Sequence, residues 1–350
     1  MIDKNNLSRL TLVIPTYERQ DFVLRLMNYW ADKGPNLIVL DGSASPIEPV
    51  KLDVFGSQVQ YLHRQVGLYQ RLLEALDLVQ TEFVALAGDD EFYLPSAVNE
   101  CIKELDYDRG LIACCGLAVG YGIKNANVYG KEKYGRLIGY SIDSKSAKDR
   151  IKHHMCNYLP SLIYSISRTK AWKISWKNIL TKEFPFYASG EIQFEICMAY
   201  AGRSKVLKHL MWLRAHNINK PTRGTDPSLD CKKRLVHWWK NKENKEQQIE
   251  FVTIMSAAFK ELLPCEDNNR KSHVVAGLEE YIKFYKRAAR GKVVKNVLSN
   301  LRLIINPGNK NIDSFSDDQF QSLISVARKL EGRGATVDYE ALGEIIELVN

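Results

Sequence analysis

The first 120 residues alternate between short apolar runs and amphipathic segments, and this alternation constrains the fold more than any other feature of the chain. Apolar runs begin at Leu10, Asn36, Val59 and Phe83, and residues 67–79 between the last two carry apolar side chains at helical spacing. Buried parallel strands have continuous apolar sequences, and their alternation with helices is typical of βαβ units. The sequence therefore predicts an α/β fold with a mostly parallel, Rossmann-like sheet flanked by helices.

The later part of the chain has a different pattern. Residues 111–119 predict another strand, whereas the glycine- and lysine-rich residues 120–150 predict loop and weak strand. Residues 151–200 contain helical segments, and almost no strand pattern follows residue 228. We therefore predict two domains, a sheet-based domain over 1–227 and an α-helical C-terminal subdomain over 228–350.

The positive charge of the chain is concentrated in one stretch. The formal net charge is +8, and residues 281–310 contain eight Lys and Arg residues and no Asp or Glu. Such a stretch is either a solvated helix face or a surface that binds anionic lipid, and we consider nucleic acid the less favoured partner.

The sequence predicts a cytoplasmic location. It has seven cysteines without a CxxC pair, and it has no apolar run long enough for a signal peptide or a bilayer span. Contact of 281–310 with the inner face of the cell membrane would make the protein peripheral.

Polar clusters follow three of the predicted strands. Thr16 and Glu18 follow the first strand, Asp41 follows the second, and an acidic run from Asp89 to Glu91 follows the fourth. Each cluster alone is typical of a turn or a helix cap. Ligands of open parallel sheets bind beyond the carboxyl ends of the strands, so three clusters at such ends favour a binding site.

The acidic run Asp89-Asp90-Glu91 predicts a metal site. Adjacent carboxylates repel one another and need a compensating cation, and carboxylate oxygens suit Mg²⁺ or Mn²⁺. Asp89 is the first candidate ligand. The sequence has neither a GxxxxGK[ST] loop nor a GxGxxG turn after a strand, which argues against a P-loop enzyme and a Rossmann dehydrogenase.

The segments VIPTYER, LDGS, GLYQRLLEAL and FVALAGDDEFYLP resemble the amino-terminal half of a family-2-like glycosyltransferase of the GT-A fold. The resemblance covers about residues 9–218. The family often has Asp-x-Asp-Asp where this chain has Ala87-Gly88-Asp89-Asp90-Glu91, so Glu91 is a candidate replacement for the missing acid. The resemblance implies nucleotide-binding roles for Pro15, Thr16, Glu18, Asp41, Gly67, Arg71 and Asp89.

Two later segments extend the resemblance. In SGEIQFEICMAYAGRSKVL, Glu191 matches the family's general base, with Glu195 as the reserve. A carboxylate there would remove the proton of an attacking hydroxyl, whereas the alternative is an acidic residue favoured by the helix dipole. In WLRAHNINKPTRG, the resemblance implies diphosphate contacts for Arg214, Lys220 and Arg223. It implies metal contact for His216.

The resemblance implies an inverting transferase that uses Mn²⁺ or Mg²⁺ and a nucleotide-diphospho-sugar, with a UDP-sugar as the expected donor. The expected acceptor is a hydroxyl of a bacterial surface glycan or of a lipid-linked intermediate in polysaccharide biosynthesis. Two alternatives stay open. One is a sugar nucleotidyltransferase, although the segment PTYER lacks the glycines of its phosphate loop. The other is a non-catalytic sugar-nucleotide-binding protein on a degenerate GT-A fold.

Overall fold

The computed structural model describes residues 3–186, 188–216, 234–265, 269–305 and 321–349, the side chains of 291–305 excepted. The described strands are β1 Leu10–Thr16, β2 Asn36–Asp41, β3 Val59–His63, β4 Phe83–Leu86, β5 Phe92–Tyr93, β6 Leu111–Lys124, β7 Asn127–Lys133, β8 Ser141–Ile142, β9 Ile166–Arg168, β10 Arg203–Ala215 and β11 Gln321–Ser322. The described α-helices are α1 Lys4–Leu7, α2 Gln20–Trp30, α3 Pro49–Leu52, α4 Leu68–Leu78, α5 Pro95–Tyr107, α6 Ala147–Cys156, α7 Thr169–Ile179, α8 Ser189–Ala201, α9 Leu235–Lys240, α10 Lys245–Leu262, α11 Arg270–Ile305, α12 Leu323–Glu331 and α13 Tyr339–Val349.

All the strands join one sheet whose two halves differ. In the first half β3, β2, β1 and β4 lie side by side and parallel, which confirms the predicted parallel strands. In the second half β9 pairs antiparallel with both β4 and β6, and β6 pairs antiparallel with β7 but parallel with β10. The predicted α/β fold is therefore confirmed, with a sheet that is mixed beyond β4.

The region predicted as loop and weak strand contains a well-formed hairpin. Strand β6 continues to Lys124 and turns through Asn125 and Ala126, both at positive φ, into β7. A two-residue turn with both φ angles positive matches the twist of paired strands. Glycines are uncommon in strands and weaken the strand pattern of this sequence, but close packing in the hairpin requires them. A Cβ on Gly122 would overlap the Tyr129 ring.

The sheet is covered on both faces, which explains the continuous apolar sequence of its strands. Along β1, Leu12 and Ile14 point to one core and Val13 to the other. The first core is shared with α2, α5, α12 and α13, and the second with α4, α6, α7, α8, α10 and α11. Alternating side chains along each strand thus pack against helices on both faces of the sheet. Thr16, which ends β1, and the acidic residues that follow β4 lie at the sheet edge between these two helical layers.

The C-terminal region is helical, as predicted, but it packs closely on the sheet domain. Helix α10 packs on α7 and α8, and the rings of Phe259 and Tyr200 stack at 3.8 Å. One described strand departs from the expected all-helical pattern, since the two-residue β11 pairs with β7. The boundary between 227 and 228 stays a prediction. Within the described ranges, no helix is both long and apolar enough to cross a membrane.

Candidate active site

A cavity of about 300 Å³ opens beyond the carboxyl ends of β1 and β4, where the sequence predicts a binding site. It brings together predicted residues from four separate parts of the chain. Its lining comprises Pro15, Thr16, Tyr17, Arg19, Leu68, Arg71, Gly88, Asp89, Asp90, Glu91, Arg214 and Ala215. The carboxyl end of β10 thus contributes to the same site as β1 and β4, because β10 carries Arg214.

Arg19 compensates the first two carboxylates of the acidic turn. Its guanidinium lies 3.4 Å from Asp89 Oδ1 and donates to Asp90 Oδ2, while Thr16 Oγ1 donates to Asp89 Oδ2 at 2.7 Å. Arg19 is 3% exposed and lies over the Phe22 ring. Burial raises the pKa of Asp89 to about 6, although Arg19 opposes the shift. Arg19 is the one cation of the segment PTYER, but no sequence pattern assigned it a role.

Glu91 is bound by side chains from β10. Trp212 Nε1 donates to Glu91 Oε2 at 2.9 Å, and Arg214 Nε lies 3.4 Å from Oε1. Burial raises the pKa of Glu91 to about 7, with Arg214 opposing. The Trp212 indole stacks on the rings of Tyr134 and Tyr164, at 5.6 Å and 4.2 Å. No sequence pattern links these aromatic residues, because they come from distant segments.

The described carboxylates do not fit a resident Mn²⁺ or Mg²⁺ as they stand. Among the described residues, no group of three or more His, Cys, Asp or Glu is placed to hold a metal ion. Asp89, Asp90 and Glu91 each contact an arginine instead. Burial lowers the pKa of His216, and nearby Lys133, Lys131 and Arg214 lower it further. Such a basic environment disfavours the metal contact predicted for His216 and favours an anion. Lys220 and Arg223 lie outside the described residues.

Asp41 is buried beneath the site and does not face the cavity. Its carboxylate is 0% exposed and accepts hydrogen bonds from Ser43 N at 2.8 Å, Gln20 Nε2 at 2.9 Å and Tyr61 OH at 2.6 Å. The predicted direct contact with the nucleotide does not agree with this geometry, because the protein's own donors surround the carboxylate. In the structure, Asp41 stabilises the loop that follows β2.

That loop and Glu18 border a second cavity of about 260 Å³. Glu18 has a φ of 53°, a conformation that is uncommon for a residue with a side chain. Two hydrogen bonds stabilise it: Glu18 N donates to Ser43 Oγ at 2.8 Å, and Ala44 N donates to Glu18 Oε1 at 2.7 Å. Glu18 therefore lies in a separate recess beside the main cavity.

Arg71 connects the ends of β1 and β2. Its Nη1 donates to the carbonyl oxygens of Thr16 at 2.7 Å and Leu40 at 2.5 Å. Gly42 leaves room for this side chain, since a Cβ there would lie 2.6 Å from Arg71 Cζ. Burial lowers the pKa of Arg71. Gly67 precedes α4 and has open space around it, so that position does not require a glycine for packing.

The two acids of α8 differ sharply although one helical turn separates them. Glu191 is half-buried and accepts a hydrogen bond from Tyr158 OH at 2.5 Å. Burial raises the pKa of Glu191, while Tyr158 and Arg214 oppose the shift. Glu195 is 0% exposed and is bound by His154 Nε2 at 2.6 Å and by the backbone N–H groups of Leu162 and Ile163. The reserve role predicted for Glu195 is not supported, because its carboxylate has no access to solvent.

The model of the family described as "Glycosyl transferase family 2" matches residues 11–210, which is more than half of the chain. Together with the α/β sheet and its strand-end cavity, this match gives the class of the protein, a glycosyltransferase of the GT-A type. The chain belongs to glycosyl transferase family 2. This membership supports an enzyme, and neither the nucleotidyltransferase nor the non-catalytic alternative gains support from it.

Solved structures similar to this chain include forms of S. aureus TarS. TarS 1–349 has a TM-score of 0.45 and 14% identity, covering 81% of this chain and 91% of that one. TarS 1–349 in complex with UDP-GlcNAc has a TM-score of 0.45 and 13% identity, covering 81% and 92%. A longer TarS chain has a TM-score of 0.44 and 12% identity, covering 79% and 55%. Comparison with curated proteins gave no match.

Proposed function

We propose that this glycosyltransferase moves a sugar, with inversion, from a nucleotide-diphospho-sugar to an acceptor hydroxyl. A UDP-sugar is the donor to test first, and a bacterial surface glycan or lipid-linked intermediate of polysaccharide biosynthesis is the proposed acceptor. The convergence of Thr16, Asp89, Asp90 and Arg214 on one strand-end cavity carries the proposal. Donors of this kind bring a diphosphate and a ribose, which such a mixture of cations, carboxylates and hydroxyls can bind.

Arg214 is the described cation best placed for the diphosphate. Its side chain is 37% exposed, it lines the cavity, and Glu91 and Tyr134 fix its direction. A guanidinium offers several donors in a fixed plane and matches phosphate oxygens geometrically. Arg214 would thus stabilise the charge that develops on the leaving nucleoside diphosphate. Lys220 and Arg223 remain predicted contributors.

Glu191 is the proposed general base. Inversion requires the acceptor oxygen to attack the anomeric carbon while a base removes its proton, and a positioned carboxylate can do so. Glu191 remains partly exposed, and burial raises the pKa of its carboxyl, which makes the carboxylate a stronger proton acceptor. Glu195 lacks this access.

The predicted use of Mn²⁺ or Mg²⁺ stays a prediction that needs its own test. Asp89, Asp90 and Glu91 are paired with arginines, so no step of the proposed mechanism is made to depend on a metal ion. Titrating the protein with Mn²⁺ in the presence and absence of UDP shows whether the ion binds to the free protein or only to its complex with UDP. Binding of Mn²⁺ only together with UDP would show that the ion enters with the donor.

The predicted membrane contact rests on the basic stretch 281–310. Helix α11 includes its first part, where Lys286 lies near Lys240 on α9, and Arg290 is exposed. Each such cation near an anionic surface is worth about 1 kcal/mol at low salt. We propose a cytoplasmic protein that binds the inner membrane face reversibly. Salt-sensitive partition onto vesicles with phosphatidylserine supports this, and equal partition onto neutral vesicles contradicts it.

Binding of nucleotide-sugars tests the proposed donor directly. A panel of UDP-, GDP- and dTDP-sugars should include one that raises the melting temperature, since a hundredfold excess over Kd stabilises by about 2.7 kcal/mol. Asp89→Asn should weaken that binding, while Asp108→Asn should not, because Asp108 pairs with Arg203 and does not line this cavity. Release of the nucleoside diphosphate, followed with an acceptor library, then reports transfer. The absence of stabilisation by every donor would refute the proposal.

A further inference from the structure

We propose that Tyr158 is a positioning residue for Glu191, and that the Glu195–His154 pair anchors the loop that carries Tyr158. This inference rests on the proposed role of Glu191 as the base. The observation behind it is the position of the Tyr158 phenol, which is hydrogen-bonded to Glu191 and packs against the rings of His154 and Tyr281.

The position of Tyr158 is fixed by aromatic packing. Its hydroxyl donates to Glu191 Oε1 at 2.5 Å. Its ring lies 6.0 Å from the His154 ring and 4.9 Å from the Tyr281 ring on α11, the latter edge-on at 88°. Rotation of the phenol away from Glu191 would therefore break two ring contacts as well as the hydrogen bond.

The loop between α6 and β9 has a buried anchor. Glu195 accepts hydrogen bonds from the N–H groups of Leu162 and Ile163, at 3.1 Å and 2.9 Å. It also pairs with His154 Nε2 at 2.6 Å, and the other ring nitrogen of His154 contacts Tyr140 OH at 2.6 Å. Since Glu195 can only accept when ionised, His154 Nε2 donates to it. The two acids of α8 thus act on one loop: Glu195 anchors it, and the loop directs Tyr158 at Glu191.

The hydrogen bond has a chemical consequence for the base. Tyr158 engages one carboxylate oxygen and leaves Glu191 Oε2 to accept the proton of the acceptor hydroxyl. A donor to the charged form lowers the pKa of the carboxyl, and here it opposes the effect of burial and of Glu195. Arg214 from β10 acts in the same direction as Tyr158. Among the described residues, Tyr134 and Tyr164 also lie close enough to interact electrostatically with Glu191.

The test removes the hydroxyl alone, with Tyr158→Phe in the native chain and in Glu191→Gln. In the native chain we expect kcat to fall by about tenfold, because Glu191 is no longer held in the direction of the acceptor hydroxyl. The acid limb of the kcat profile should move to higher pH, because the pKa of Glu191 rises without its donor. Donor Kd and melting temperature should stay near the native values. In the Glu191→Gln background, Tyr158→Phe should cause no further loss.

The outcomes separate this inference from the proposed function. Native-like kcat and pH profile in Tyr158→Phe, with transfer lost in Glu191→Gln, would refute the role of Tyr158 and keep Glu191 as the base. An equal loss in both backgrounds would also refute it, since Tyr158 would then act independently of Glu191. Native-like transfer by Glu191→Gln would refute the base itself. Tyr107→Phe, whose ring is 89% exposed, is the matched control.

Discussion

The acidic turn 88–91 and helix α8 both present carboxylates to the site region, but they compensate them in different ways. In the turn, Asp89 and Asp90 share Arg19, and Glu91 pairs with Arg214. In α8, the described hydrogen-bond donor to Glu191 is a neutral phenol. Burial raises the pKa of Asp89 to about 6 and that of Glu91 to about 7 although arginines oppose it, and it raises the pKa of Glu191 as well. The two regions therefore differ in the partner of each carboxylate and not in the direction of the pKa shift. We therefore propose that the acidic turn and its arginines bind the charged part of the donor, and that Glu191 on α8 accepts the proton.

The largest expected effect tests the α8 side of this comparison. Glu191→Gln should reduce transfer by about 10²- to 10⁴-fold, the usual contribution of a positioned general base. Donor binding should persist, because the donor cavity lies at the strand ends. Transfer rate and donor Kd measured on the same samples distinguish loss of the base from loss of donor binding. A variant that melts early yet transfers at the native rate would show that Glu191 only stabilises the first turn of α8.

Glu195→Gln should act on stability. Its carboxylate is buried with His154 and two backbone donors, so the amide would face a backbone N–H or leave His154 unpaired. We expect the free energy of unfolding to fall by about 2–3 kcal/mol. Urea denaturation measures this, with the exposed Glu261→Gln as the control. Unchanged stability together with lost transfer would identify Glu195, and not Glu191, as the general base.

Arg19→Gln tests the acidic turn, and its effect should depend on pH. Without Arg19, the buried Asp89 and the half-buried Asp90 lose their cation, which should cost about 2 kcal/mol at pH 8. Burial has already raised the pKa of Asp89 to about 6, so the folded state binds its proton more tightly than the unfolded state does. The loss should therefore shrink as the pH falls from 8 to 5, where Asp89 becomes neutral. A loss that is independent of pH would show that Arg19 acts through packing on Phe22.

The smallest expected effect concerns Glu91→Gln. The amide keeps the shape but loses the ion pair that directs Arg214, so donor affinity should fall by about 1 kcal/mol, near fivefold. We expect the same fall with and without Mn²⁺ in calorimetry. A fall seen only with Mn²⁺ would identify Glu91 as the metal ligand that the sequence analysis considered.

The sequence by itself determined the parallel strands β1 to β4 and helix α4, because their apolar periodicity depends only on local geometry. It also placed Thr16 and Asp89 at one edge of the sheet, since parallel strands all end on the same side. The hairpin of β6 and β7 was not predicted, because Gly122 is needed to leave room for the Tyr129 ring and this long-range contact cannot be inferred from a local sequence pattern.

Only the tertiary structure decided which partner each acid receives. Asp41 follows a strand just as Asp89 does, yet Tyr61 and Gln20 enclose it and remove it from the cavity. Glu191 and Glu195 have the same spacing as any pair on one helix face, yet one receives Tyr158 and the other His154. Burial and hydrogen bonding set the chemistry of a carboxyl group, and both depend on residues that are distant in the chain and meet only on folding.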